Sequence, residues 1–261
     1  MLTALRRHWP EYAMEGAELG LFMLAACVAV VLVEHPRGPL AGAIASPLAR
    51  RALVGAAMGL TAVALVYSPW GKRSGAHFNP SVTVTFFRLG RVAPWDAVFY
   101  VGAQCAGAVL GVALAALALR ELVADPAVDY AATRPGARGV GAAFAAEAAI
   151  SFGLMTLVLW VSNTPRLARF TGVAAGALVA CYITVEAPLS GMSMNPARTL
   201  GSALFAGPHA LWLYLTAPPL GMLLAAEVHL RRRGAPTVGC AKLHHDNPTR
   251  CIFCAYHRRY A

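Results

Sequence analysis

The sequence predicts an all-α membrane protein, with six spanning helices and two re-entrant half-helices arranged as an inverted three-plus-three repeat. Three observations carry this prediction. Hydrophobic residues make up 58% of the 261-residue chain and charged ones only 13%, at a mean hydropathy of +0.56, which lies outside the range of soluble domains. Six apolar windows each approach the ~20 residues that a helix needs to cross a bilayer. Finally, one polar frame occurs twice: Ser74, Gly75, Asn79, Pro80 and Thr83 recur as Ser190, Gly191, Asn195, Pro196 and Thr199, each 116 positions later.

The windows fall at about residues 13–33, 52–68, 97–119, 139–161, 170–187 and 210–230. Arg6 and Arg7 precede the first, as in a signal peptide. Its length, the lack of a small-residue cleavage site and the later spans make it a first membrane helix instead. A polar connection at 120–138 divides the chain into halves at about 13–119 and 139–230. Three spans per half invert the second half relative to the first, so the two Asn-Pro segments enter the bilayer from opposite faces. Residues 1–12 are then a cytoplasmic N-terminus, 13–230 a channel-like domain and 231–261 a basic cytoplasmic tail. With both termini inside, 15 of the 22 lysines and arginines lie on the cytoplasmic side, as the positive-inside rule requires. The net charge of +10 therefore reflects topology and attraction to anionic lipid, and not nucleic-acid binding.

Gly-x-x-x-Gly pairs at Gly16/Gly20, Gly55/Gly59, Gly107/Gly111 and Gly172/Gly176 suit close helix crossings in lipid. Residues 80–88 and 196–206 are too short to span and read as half-helices. Asn79 and Asn195 are their N-caps, and Pro80 and Pro196 stand at the first helical position. The irregular backbone expected before them, at 74–78 and 188–194, is tolerable at membrane depth only along a watery cavity. Two half-helices meeting end to end imply a pore. Each N-terminus carries roughly half a positive charge, so the pair disfavours protons and other cations.

The doubled Asn-Pro frame, with Arg198 three residues after the second Asn, resembles the aquaporin and aquaglyceroporin superfamily over about residues 13–230. The first copy reads Asn79-Pro80-Ser81 where the second reads Asn195-Pro196-Ala197, a nearly isosteric change. The resemblance implies the aquaporin fold, a homotetramer in the cell's inner (plasma) membrane with one pore per subunit, and no enzymatic activity. It places Arg198 in a narrow selectivity filter with Met192 and Ile183. A fourth member in the second span is ambiguous between Met58 and Gly59, with repeat spacing favouring Met58. Water-restricted relatives commonly carry histidine where Ile183 stands. The filter therefore resembles the solute-permeable or plant nodulin-like branch. Glu15 and Glu147 match a pair of buried glutamates that accept hydrogen bonds from the motif loops, and Gln104 matches a polar position in the third span. Glu186 is placed near a vestibule.

The functional expectation is a passive channel for water and small neutral solutes, such as glycerol-like polyols or metalloid hydroxides. A strictly water-selective channel is the alternative. A proton-coupled secondary transporter using Glu15 and Glu147 is the reading from another class. Of six cysteines, Cys27, Cys105 and Cys181 are expected as core fillers. Cys240, Cys251 and Cys254 share the tail with His244, His245 and His257, a density of thiol and imidazole that suits a tetrahedral zinc site. An unstructured tail with incidental cysteines is the rival reading, in which the chain has no cofactor.

Overall fold

The computed structural model of the chain describes residues 1–234 and 237–254. In chain order it forms α1 (Leu2–Glu34), α2 (Pro47–Tyr67), α3 (Pro69–Ser74), α4 (Pro80–Arg88), α5 (Pro94–Leu119), α6 (Glu121–Ala124), α7 (Gly139–Ser162), α8 (Thr171–Val185), α9 (Ala187–Ser190), α10 (Pro196–Ala206) and α11 (Leu211–Arg233). Among the described residues, α1, α2, α5, α7, α8 (counted there from Ala168) and α11 are long and apolar enough to cross a membrane. Large side chains such as Leu60, Leu110, Leu117, Leu220 and Leu224 stay exposed on their outer surfaces, as helices facing lipid require.

Glycine decides how closely the long helices approach. A Cβ on Gly107 of α5 would sit 1.9 Å from the Gly16 carbonyl oxygen of α1, and one on Gly59 of α2 would sit 2.5 Å from that of Gly176 in α8. The second half repeats the first crossing: a Cβ on Gly221 of α11 would lie 2.2 Å from the Ala148 oxygen of α7. Half-helix α4 packs against α11 and α10 against α5, so each half-helix is held by a span of the opposite half.

Three local expectations change. The N-terminal 1–12 segment is the start of α1, which at 33 residues is ~50 Å long, well beyond the ~30 Å hydrocarbon layer. Its polar turns are tied down by Arg73 Nε to Glu11 (3.1 Å), and by His8 and the Tyr12 hydroxyl to Asp96 (2.8 and 2.6 Å). The stretches before the half-helices are partly helical, as α3 and α9. Ser68 caps α3 by accepting from Gly71 N, and Gly75 and Gly191 end α3 and α9 with φ of 111° and 80°, conformations natural to glycine. Glu186, expected at a vestibule, is instead 6% exposed and lines neither cavity described below.

Candidate functional site: a paired-loop pore

The half-helices begin as expected at Pro80 and Pro196. Asn79 Oδ1 accepts from Ser81 N at 2.8 Å; Asn195 Oδ1 accepts from Ala197 N and Arg198 N at 3.1 and 3.2 Å. Each asparagine also reaches the opposite loop. Asn79 Nδ2 donates to the Met194 oxygen (2.8 Å) and Asn195 Nδ2 to the Phe78 oxygen (2.7 Å). One amide hydrogen of each asparagine thus binds the two loops together, and one is left over.

The loops leading into these caps hold non-glycine residues in the left-handed region at matching frames. Ala76 and Phe78 have φ of 56° and 29°, Met192 and Met194 both 53°. Such residues cost on the order of 1–3 kcal/mol each and persist only where surroundings hold them. Two buried carboxylates do so. Glu15 accepts from His77 N (2.9 Å), Phe78 N (2.7 Å) and Gln104 Nε2 (2.8 Å). Glu147 accepts from Ser190 Oγ (2.6 Å), Ser193 N (2.7 Å) and Met194 N (2.7 Å). Tyr100 and Tyr214 complete the frame, donating to the Ser74 and Ser190 carbonyls at 2.6 and 2.5 Å. The tyrosines were missed in the sequence, although they recur at the same spacing as Gly107 and Gly221.

Two cavities meet beside Arg198, next to this crossing. One, of about 90 Å³, runs from the paired loops toward the packed tail segment, past Val66, Leu154 and Leu243. The other, of about 410 Å³, opens on the far face between Glu34, Arg51 and Asp129. The residues common to both linings are Ala26, Met58, Ile183, Met192 and Arg198. Four of these are the residues singled out in the sequence; Ala26 carries no signal beyond a small side chain in a span. Gly59, the alternative to Met58, faces α8 as described and lines neither cavity. Arg198 Nη1 is buried and has no hydrogen-bond partner among the described residues.

The major intrinsic protein family model matches residues 10–229. The chain belongs to the major intrinsic protein family. Within this family it is 42% identical over 171 residues to "Aquaporin NIP6-1" of Arabidopsis thaliana, a match covering 64% of this chain and 54% of that protein's length. It is 38% identical to the "Glycerol uptake facilitator protein-like 6" of Lactiplantibacillus plantarum over 66% of this chain and 81% of that one. The X-ray structure of the aquaglyceroporin from Plasmodium falciparum superposes with a TM-score of 0.72 at 18% identity, over 88% of this chain and 98% of that chain. The aquaporin fold and multi-pass membrane architecture follow.

Beyond the stretch that matches the family, the tail lies against the first loop. His77 Nε2 bonds the Ala241 carbonyl at 2.8 Å, and Leu243 N donates to the Gly75 oxygen at 3.1 Å. Cys240, His245, Cys251 and Cys254 offer ligand atoms all within 4.8 Å of one another. His244 does not join them: its ring packs edge-on against Tyr67 with centroids 4.9 Å apart. His257 lies outside the described residues. Of the apolar-span cysteines, Cys27 is a buried core residue, while Cys181 is exposed and fills no core.

Proposed function

We propose that the chain is a passive membrane channel for water and small neutral solutes of the polyol type, oriented with both termini in the cytoplasm. The observation that carries this is the neck shared by the two cavities. Arg198 offers a buried, unpartnered donor on one side, and Met58, Ile183 and Met192 form an apolar wall on the others. Such a neck suits a molecule with hydroxyls on one edge and carbon on the other, since the methionines adapt to shape and the guanidinium serves an oxygen. Cations lose hydration at an apolar neck that offers only positive charge in return. The two half-helix N-termini, each roughly half a positive charge, add to that barrier at the loop crossing.

The proton-coupled reading receives no support from geometry. Glu15 and Glu147 line neither cavity and spend their oxygens on loop amides. Nor does the neck assemble a nucleophile, base and oxyanion donor, so we read no enzymatic role. Assembly as a homotetramer in the cell's inner membrane is part of the proposal, supported by the family.

Light scattering on proteoliposomes tests this directly. Sucrose should drive osmotic shrinkage faster than in empty liposomes, and glycerol should produce shrinkage followed by rapid re-swelling. Shrinkage without re-swelling would replace this reading with a water-selective channel; neither effect would overturn it.

A further inference from the structure

We propose that Cys240, His245, Cys251 and Cys254 bind one zinc ion, and that this metal fastens the tail so that Leu243 stands in the cytoplasmic mouth of the pore. The Cys240 Sγ–Cys251 Sγ, Cys240 Sγ–Cys254 Sγ and Cys254 Sγ–His245 Nε2 separations are 3.5, 3.6 and 3.7 Å. A tetrahedron with Zn–S bonds of about 2.3 Å has edges of about 3.8 Å, slightly shorter where one ligand is imidazole. Disulfide sulfurs stand at about 2.05 Å, so no pair here is a disulfide. Three thiolates and a neutral imidazole match the Cys₃His set of structural zinc sites.

The surroundings suit that charge. Three thiolates around Zn²⁺ leave one net negative charge, and a buried ammonium lies beside it. Lys242 is 2% exposed and forms no ion pair with a carboxylate among the described residues. Its Nζ donates to the Thr249 and Arg250 carbonyls at 3.2 Å each, closing the loop between Cys240 and Cys251. Its backbone N–H points to Cys240 Sγ at 3.4 Å, as amides do around zinc-bound thiolates. Unpaired buried charge is costly, and the metal site supplies the counter-charge.

Residues 237–254 contain only single turns of helix, too little regular structure to hold a fold without a staple. They nonetheless bury Val238, Ala241, Leu243, Ile252 and Phe253. Phe253 stacks on His77 with ring centroids 5.4 Å apart and planes 10° apart. Gly75 leaves room for this ring: a Cβ there would lie 2.8 Å from Phe253 Cε2. The clasp thus rests on the first Asn-Pro loop, and Leu243, next to its ligands, lines the inner cavity. Because structural zinc contributes folding free energy outright, losing it releases Leu243.

The effect on flux rests on the channel reading above; zinc stoichiometry does not. Full-length protein purified under reducing conditions without chelator should carry about one zinc per chain by elemental analysis, as a closed four-ligand site holds one ion. Cys251→Ser combined with Cys254→Ser should abolish it, whereas His244→Ala should retain it in full, with size-exclusion profiles reporting intact folding. In proteoliposomes, chelation should raise glycerol entry roughly threefold or more by local opening of the tail, and the double variant should be fast and chelator-insensitive. Absence of zinc even after loading with zinc chloride and desalting would overturn the site, as would retention by the double variant or a disulfide among the three cysteines. Bound zinc with unchanged flux after its removal would overturn the seating of Leu243. No flux in any form would contradict the channel reading and leave the site standing.

Discussion

The loop before Asn79 and the loop before Asn195 are built alike and used differently. Each has a glycine-ended turn, two left-handed non-glycine residues, a glutamate accepting two loop amides and a tyrosine capping the serine carbonyl. Two of the positions at which the copies diverge separate their uses. Val82 of the first half corresponds to Arg198 of the second, and His77 corresponds to Ser193. Arg198 gives the second half a charge at the neck. His77 gives the first half a handle for the tail, whereas Ser193 turns inward to Thr199 Oγ1 at 2.6 Å. The shared parts hold strained backbone in place; the unshared parts put a charge at the neck and a docking ring under the tail.

The shared frame breaks most severely at its carboxylates. Glu147→Ala leaves three buried donors without an acceptor at about 1–3 kcal/mol each, so detergent-solubilised protein should lose its monodisperse size-exclusion peak. Glu15→Ala should do the same, and a mild effect of either would show that its loop is held elsewhere. Gly107→Ala and Gly221→Ala probe the matching crossings. Each should lower thermal stability, by overpacking of about 1–3 kcal/mol, and a tolerated Gly221→Ala would mean that the halves do not pack alike.

Under the proposed function, the unshared positions act on selectivity. Arg198→Ala removes the neck charge and should raise proton or monovalent cation leak by roughly tenfold, the equivalent of about 1.4 kcal/mol of electrostatic barrier. Val82→Ala, its counterpart, should leave that leak unchanged. Ile183→His narrows the apolar wall and adds a donor; glycerol entry should fall several-fold while water flux persists, and equal loss of both would indicate simple blockage.

Much of this frame is local, and for that reason was legible. Asparagine caps and helix-first prolines fix the starts of α4 and α10 from adjacent residues alone, and Gly-x-x-x-Gly pairs mark crossings by spacing. The α1 start was not legible, because Glu11 and Arg73 neutralise each other only once the chain has folded. Nor was tail docking: His77 and Ala241 lie 164 residues apart, and nothing near Ala241 announces its partner. The choice of His245 over His244 as neighbour of the cysteines likewise depends on Tyr67, far away in sequence.

Under the proposed function, solute crosses a standing neck by diffusion and protons do not accompany it. Glycerol entry into proteoliposomes carrying a trapped pH-sensitive dye, measured across a wide range of glycerol gradients, tests it most directly. The rate should rise linearly with the gradient, without saturation and with no change in internal pH. A saturating rate, or acidification that tracks glycerol entry, would contradict it.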